Sequence, residues 1–166
     1  MVEESRQLTA QEVARDWWAD LTSKGTGPGR AALARIRRAH TLVEVVQEPA
    51  ALRLLARLRP FRLNVDRVAV LAGVLAWVGE SEDVPLAKAV GPGGLDADKP
   101  AILSKGRFQR VLQSNQADLM DQMRRVVRMN KGKASVEHLA RAILFWGDRI
   151  KKEWIFDYYG VEQREP

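Results

Sequence analysis

Two histidines and no cysteine leave little room for catalysis in this 166-residue chain. His40 and His138 stand far apart, and neither has a second histidine at metal-ligand spacing. There is no nucleophile elbow, no phosphate-binding loop and no metalloprotease helix motif. "GPGG" at residue 91 lacks the preceding strand that a phosphate-cradling loop requires. The adjacent acids Glu82 and Asp83, and the close pair Asp96 and Asp98, sit in breaker-rich stretches and read as solvated turns. A metal nuclease needs several acids converging from separate elements, and no such set is visible. The chain is therefore expected to be no enzyme and to carry no metal or cofactor.

What remains is charge. The net charge is +6, and it is concentrated in two places. From Arg30 to Arg62 eight basic residues face only Glu44 and Glu48; from Lys105 to Lys133 another eight face only Asp118 and Asp121. Each segment carries +6, so the rest of the chain sums to −6. Segregated clusters of this kind suit a polyanion, because each lysine or arginine laid on a phosphate releases a condensed counterion. The ordinary alternative is that arginine simply wets the outer face of helices.

Helical spacing separates the two readings. In "GPGRAALARIRRAH" (27–40), Ala32, Leu33, Ile36, Ala39 and His40 fall on one side. Arg30, Ala34, Arg37 and Arg38 fall on the other, with Arg35 at the border. Between Asn115 and Asn130, Leu119, Met120, Met123, Val126 and Val127 share one side. Arg124, Arg125 and Arg128 are expected opposite, with Asp121 close enough to neutralise one of them. Lys131 and Lys133 carry the charge into the next turn, and Arg107 and Arg110, three apart, share a face one helix earlier. Arg53 and Arg57 are surrounded by Leu52, Leu54, Leu55 and Leu58 and are better placed to snorkel or pair within the fold. The candidate phosphate-facing set is thus Arg30, Arg37, Arg38, Arg107, Arg110, Arg124, Arg128, Lys131 and Lys133.

These residues must be positioned by helices, since alternating strand patterns are essentially missing. Thr9 with Glu12 forms a capping box for a first helix, which carries Trp17, Trp18 and Leu21 and ends at "SKGTGPG". Pro28 opens the second helix, Thr41 with Glu44 a short third, and Pro49 a leucine-rich fourth running to Arg59. Asn64 caps a buried helix ending near Gly79, and Pro85 begins a brief one to Val90. "GPGGLDADKP" (91–100) is the densest run of breakers and is expected to link two lobes, 1–95 and 96–166. Beyond it Ser104, Asn115 and Ser135 cap three further helices, the last bending at Gly147 before "RIKKEWIFDYYG" closes the chain. The expectation is an all-α fold of two small helical bundles.

Trp17, Trp77, Trp146 and Trp154 have apolar partners at helical spacing and are assigned to the core. Trp18, turned about 100° from Trp17, is placed at a bundle edge, in a protein interface or beneath a stacked base. The longest apolar run, "VAVLAGVLAWVG", is about half of what a membrane span requires. With a polar, acidic "MVEESRQLTAQE" start, this gives no membrane contact and a cytoplasmic location as expectations.

Taken together, "WW..L", "GPGRAALARIRRA", "SKGRFQRVLQS", "LMDQMRRVVRMNKGKASVEHLARAILFW" and "IKKEWIFDYYG", in this order over roughly residues 10–160, resemble the CasB family. That family is the small subunit of the type I-E CRISPR Cascade surveillance complex. The resemblance implies a non-catalytic, two-lobed helical protein, present in two copies lying head to tail beside the backbone and large subunits. It implies contact with guide RNA and target DNA, with the basic surface stabilising the duplex and the displaced single strand without reading sequence. Arg30, Arg37, Arg38, Arg107 and Arg110 match by motif; Arg124, Arg128, Lys131 and Lys133 match in kind and location. The terminal motif is assigned to packing and subunit contacts, with Trp154 and Tyr158 buried. A helical adaptor whose basic faces meet acidic protein surfaces, without nucleic acid, is the competing expectation.

Overall fold

A computed structural model of the chain describes residues 6–23, 27–97 and 99–162. Among the described residues, six helices begin on a polar side chain that accepts from a backbone N–H of the first turn, which would otherwise be orphaned. Thr9 opens α1 (Ala10–Thr22), its hydroxyl accepting from the Glu12 backbone N–H and donating to the Glu12 carboxylate. α2 (Gly27–Arg38) has Pro28 in its first turn, where the missing N–H is harmless. Lys24, Gly25, Thr26 and Asp98 lie outside the described residues. Thr41 caps α3 (Leu42–Gln47), and Pro49 starts α4 (Pro49–Leu58), which tightens into a 3₁₀ turn at Arg59–Phe61. Asn64 caps α5 (Val65–Leu75), and α6 (Leu86–Val90) follows Pro85. Ser104, Asn115 and Ser135 cap α7 (Lys105–Leu112), α8 (Gln116–Met129) and α9 (Val136–Leu144).

The expected bend at Gly147 is a full break. α9 stops at Leu144, and α10 (Asp148–Tyr159) starts after the extended backbone of Gly147. Arg67 Nη1 crosses from α5 to donate to the Leu144 and Trp146 carbonyls, at 3.2 and 2.8 Å, satisfying acceptors that the break frees.

The fold is all-α with one addition absent from the sequence reading. β1 (Glu80–Ser81) pairs in parallel with β2 (Lys133–Ala134), Glu80 opposite Lys133 and Ser81 opposite Ala134. Strands of two residues leave no alternation to detect.

α5 is the axis of the packing. Every residue from Val68 to Leu75 is buried, as expected of a helix that is hydrophobic all round. α3, α4, α8 and α9 lie against it, while α1 packs on α9 and α6 on α10. Segments 1–95 and 96–166 both contribute to one cluster of buried side chains, which includes Trp17, Leu54, Leu71, Leu119, Ile143 and Tyr158. The breaker run after Val90 is held down as well. A Cβ on Gly91 would collide with the Tyr158 backbone, and Gly160, at φ +65°, lies against Gly93. Trp17, Trp146 and Trp154 are buried as assigned; Trp77 is half-buried. No helix among the described residues is long and apolar enough to cross a membrane, and none of their side chains forms a group of three metal ligands.

Candidate nucleic-acid interface

α2 presents its charge as its spacing requires. Gly29, Ala32, Leu33 and Ile36 are buried, whereas Arg30, Arg37 and Arg38 are exposed and enter none of the ion pairs among the described residues. Arg35, at the border, is already occupied. Its Nε and Nη2 grip the Glu48 carboxylate at 2.8–3.0 Å, and that hydrogen-bonded pairing raises the guanidinium's pKa. His40 departs from its expected place on the buried side and is exposed. α2 ends at Arg38, so helical angles no longer apply two residues later. There the His40 backbone N–H donates to the Glu44 carboxylate at 2.9 Å.

The second cluster holds the main correction. Arg124 does not project with Arg128; it is buried, 7% exposed, beside Met120, Met123 and Val127. Its Nε donates to Gly73 O at 2.9 Å, its Nη1 to Ala39 O at 2.6 Å and its Nη2 to Ile36 O at 3.0 Å. The planar fork of the guanidinium, with five donors at fixed angles, suits a task that one ammonium could not perform. Burial lowers its pKa, and the Asp121 carboxylate opposes that through its field without forming an ion pair. Gly73 makes room for the crossing, since a Cβ there would press on Met120 and the guanidinium. Arg124 therefore leaves the phosphate-facing set. It ties α8 to α5 and to the C-terminal carbonyls of α2, and so fixes the end of α2 that bears Arg37 and Arg38 against the helix that bears Arg125 and Arg128.

Arg125 and Arg128 are exposed. The Arg128 guanidinium lies 5.0 Å from the centre of the Trp77 ring, a cation–π contact that orders the side chain while leaving its charge at the surface. The turn after α8 is tightly knit. Gly132 N–H donates to Val127 O, Lys131 N–H to Arg128 O, and Asn130 Nδ2 to Lys133 O at 2.7 Å. Gly132 O in turn accepts from Gly79 and Glu80. Gly132 sits at φ +75°, and Lys131 at φ +59°, a left-handed conformation that few non-glycine residues adopt. Lys133 Nζ stands 3.9 Å from Glu80 Oε2 with both side chains largely exposed, a weak pairing.

α7 places its two arginines outward because Phe108 and Val111 point in. Arg107 and Arg110 are exposed and without ion pairs among the described residues. The helix is anchored from α10. Tyr158 stacks on Phe108, with centroids 4.0 Å apart and planes 4° from parallel, and its hydroxyl donates to Leu103 O at 2.6 Å. α7 leads into the start of α8, whereas Arg128 and Lys131 lie at its end, about 20 Å away by helical rise.

Trp18 is used structurally at the bundle edge, its indole N–H donating to Val78 O at 3.0 Å. Arg57 pairs with Asp20, and Arg53 remains exposed. The contribution missed from sequence is the Trp77 ring beneath Arg128, whereas Arg125 stands at the surface as its spacing requires. The spacing of Trp77 had pointed only to the core.

No significant relative is found among curated proteins. The fold is similar to a subunit in the crystal structure of E. coli Cascade bound to a PAM-containing dsDNA target, with a TM-score of 0.66 and 18% identity over 89% of this chain and 95% of that one. Residues 32–159 match the family described as CRISPR-associated protein Cse2. This match takes in α2 from its second turn onward and every later helix, and by it the chain belongs to the Cse2 family.

Proposed function

We propose that this protein is a non-catalytic subunit of a Cascade surveillance complex, where it holds guide RNA and target DNA through the phosphates of the duplex and of the displaced single strand. Its contacts are sequence-nonspecific, its setting cytoplasmic, and its neighbours the backbone and large subunits and a second copy of itself. The observation that carries this reading is the exposed, unpaired set Arg30, Arg37, Arg38, Arg107, Arg110 and Arg128, two parts of which are held in register by the buried Arg124. Lys131 and Lys133 extend the set on a rigid turn.

The helices fix where these cations emerge, and each phosphate contact adds to the salt dependence. Reversing Arg107 and Arg110 to glutamate should weaken strand binding about tenfold or more at low salt, with thermal stability unchanged. The double alanine variant should flatten the plot of log affinity against log salt for single-stranded DNA by about 1.4. A fall in thermal stability with strand affinity intact overturns the assignment.

A further inference from the structure

Five of the eight basic residues in the first cluster play no part in the proposed phosphate contacts. Arg59 and Arg62 are exposed, enter no ion pair among the described residues, and flank an apolar groove of about 390 Å³. Leu55, Leu58, Leu63, Val65 and Val68 form its floor and walls. Leu52 precedes Leu55 by three residues and Ala56 by four along α4, so the apolar stripe continues one turn past the groove. Leu52 is 48% exposed and Val65 55%. This is a continuous apolar surface with cations at one end.

We infer that this groove docks an acidic, amphipathic segment of another subunit, with leucine-like side chains on the α4–α5 floor and carboxylates on Arg59 and Arg62. The proposal rests on the reading that the chain works inside a multi-subunit complex. Charge complementarity selects the occupant. An apolar floor gains nothing from a phosphate backbone, whereas an apolar side chain next to a carboxylate satisfies both floor and rim. A basic or purely apolar segment would leave two guanidiniums unpaired at the edge.

The absence of native cysteine makes the test direct. Full-length, affinity-tagged Leu55→Cys protein is purified from its own cells with its associated subunits, treated with nuclease, and labelled with a maleimide beside the free chain. Labelling in the complex should be slowed about tenfold or more, the protection given by an interface closed by ~1.4 kcal/mol. A photocrosslinker at the same position should join a peptide that combines aspartate or glutamate with large apolar residues, and Arg59→Glu with Arg62→Glu should abolish that crosslink. Equal labelling in the recovered complex, or a crosslink to nucleic acid, to a second copy of this chain or to a segment without acids, overturns the groove while leaving the phosphate-facing reading intact. A chain recovered alone removes the assembly reading and this proposal together. Leu55→Gln in place of cysteine, checked by thermal melting, separates loss of docking from loss of fold.

Discussion

Arg124 and Arg128 lie one turn apart on the same helix and do opposite work. The first is sealed in the seam between α2, α5 and α8, with its donors spent on three backbone carbonyls. The second rides on the Trp77 ring at the surface, with its charge available. The seam shows what arginine does when all three of its nitrogens are engaged, and the rim from Arg128 to Lys133 shows what it does when they are not. Net charge counts both alike. Only the rim can neutralise a polyanion, while the seam decides whether the α2 and α8 charges hold a fixed spacing.

Substitutions should pull these regions apart. The largest effect is expected at the seam. Arg124→Met would leave the Gly73 and Ala39 carbonyls without a donor, and Ile36 O with only the Ala39 N–H, costing about 2 kcal/mol or more, which for a chain of this size lowers the melting temperature by about 4–8 °C. Strand affinity should fall with it, and calorimetric melting together with a strand-binding titration separates this result from a pure contact loss. Arg128→Ala should do the reverse. Losing one exposed cation–π contact costs about 0.5–1 kcal/mol, while the salt slope for single strands drops by about 0.7. Lys131→Gly sharpens the contrast further. Relief of the left-handed backbone should raise stability by about 0.5 kcal/mol, net of the extra freedom of glycine in the unfolded chain, yet strand affinity should fall. A gain in both would remove Lys131 from the site. The smallest effect belongs to the Lys133–Glu80 pair, where a double-mutant cycle should give a coupling of about 0.5 kcal/mol or less that vanishes in high salt.

Local chemistry was legible wherever one residue settles the outcome. Thr9, Thr41, Asn64, Ser104, Asn115 and Ser135 each cap the helix that their type announces, and Pro28 and Pro49 stand in first turns. The outward facing of Arg30, Arg37, Arg38, Arg107 and Arg110 also follows from spacing. Arg124 is a surface residue by type and a core residue by position, and position prevails. It stands four residues after Met120 and three before Val127, at the apolar side of α8, and the spacing already pointed inward. What spacing does not contain is its reason for going there: the carbonyls of Ile36, Ala39 and Gly73 are brought to it by tertiary packing. His40 fails for the opposite cause, a helical angle applied beyond the helix. The groove under Arg59 and Arg62 was hidden by the near-continuous leucines of α4, which mask the stripe that faces outward.

The pairing of α1 with α9 has a consequence for how the protein is made. α1 buries Ala14 and Trp17, and its Arg15 meets Glu137 on α9, more than a hundred residues later. A ribosome needs on the order of 10 s to supply that distance. Throughout that interval α1 lacks the helix that covers one of its sides, and the β1–β2 bridge lacks its second strand. The nascent first half stays incomplete for that time, and the outward arginines of α2 give it a polar surface while it waits.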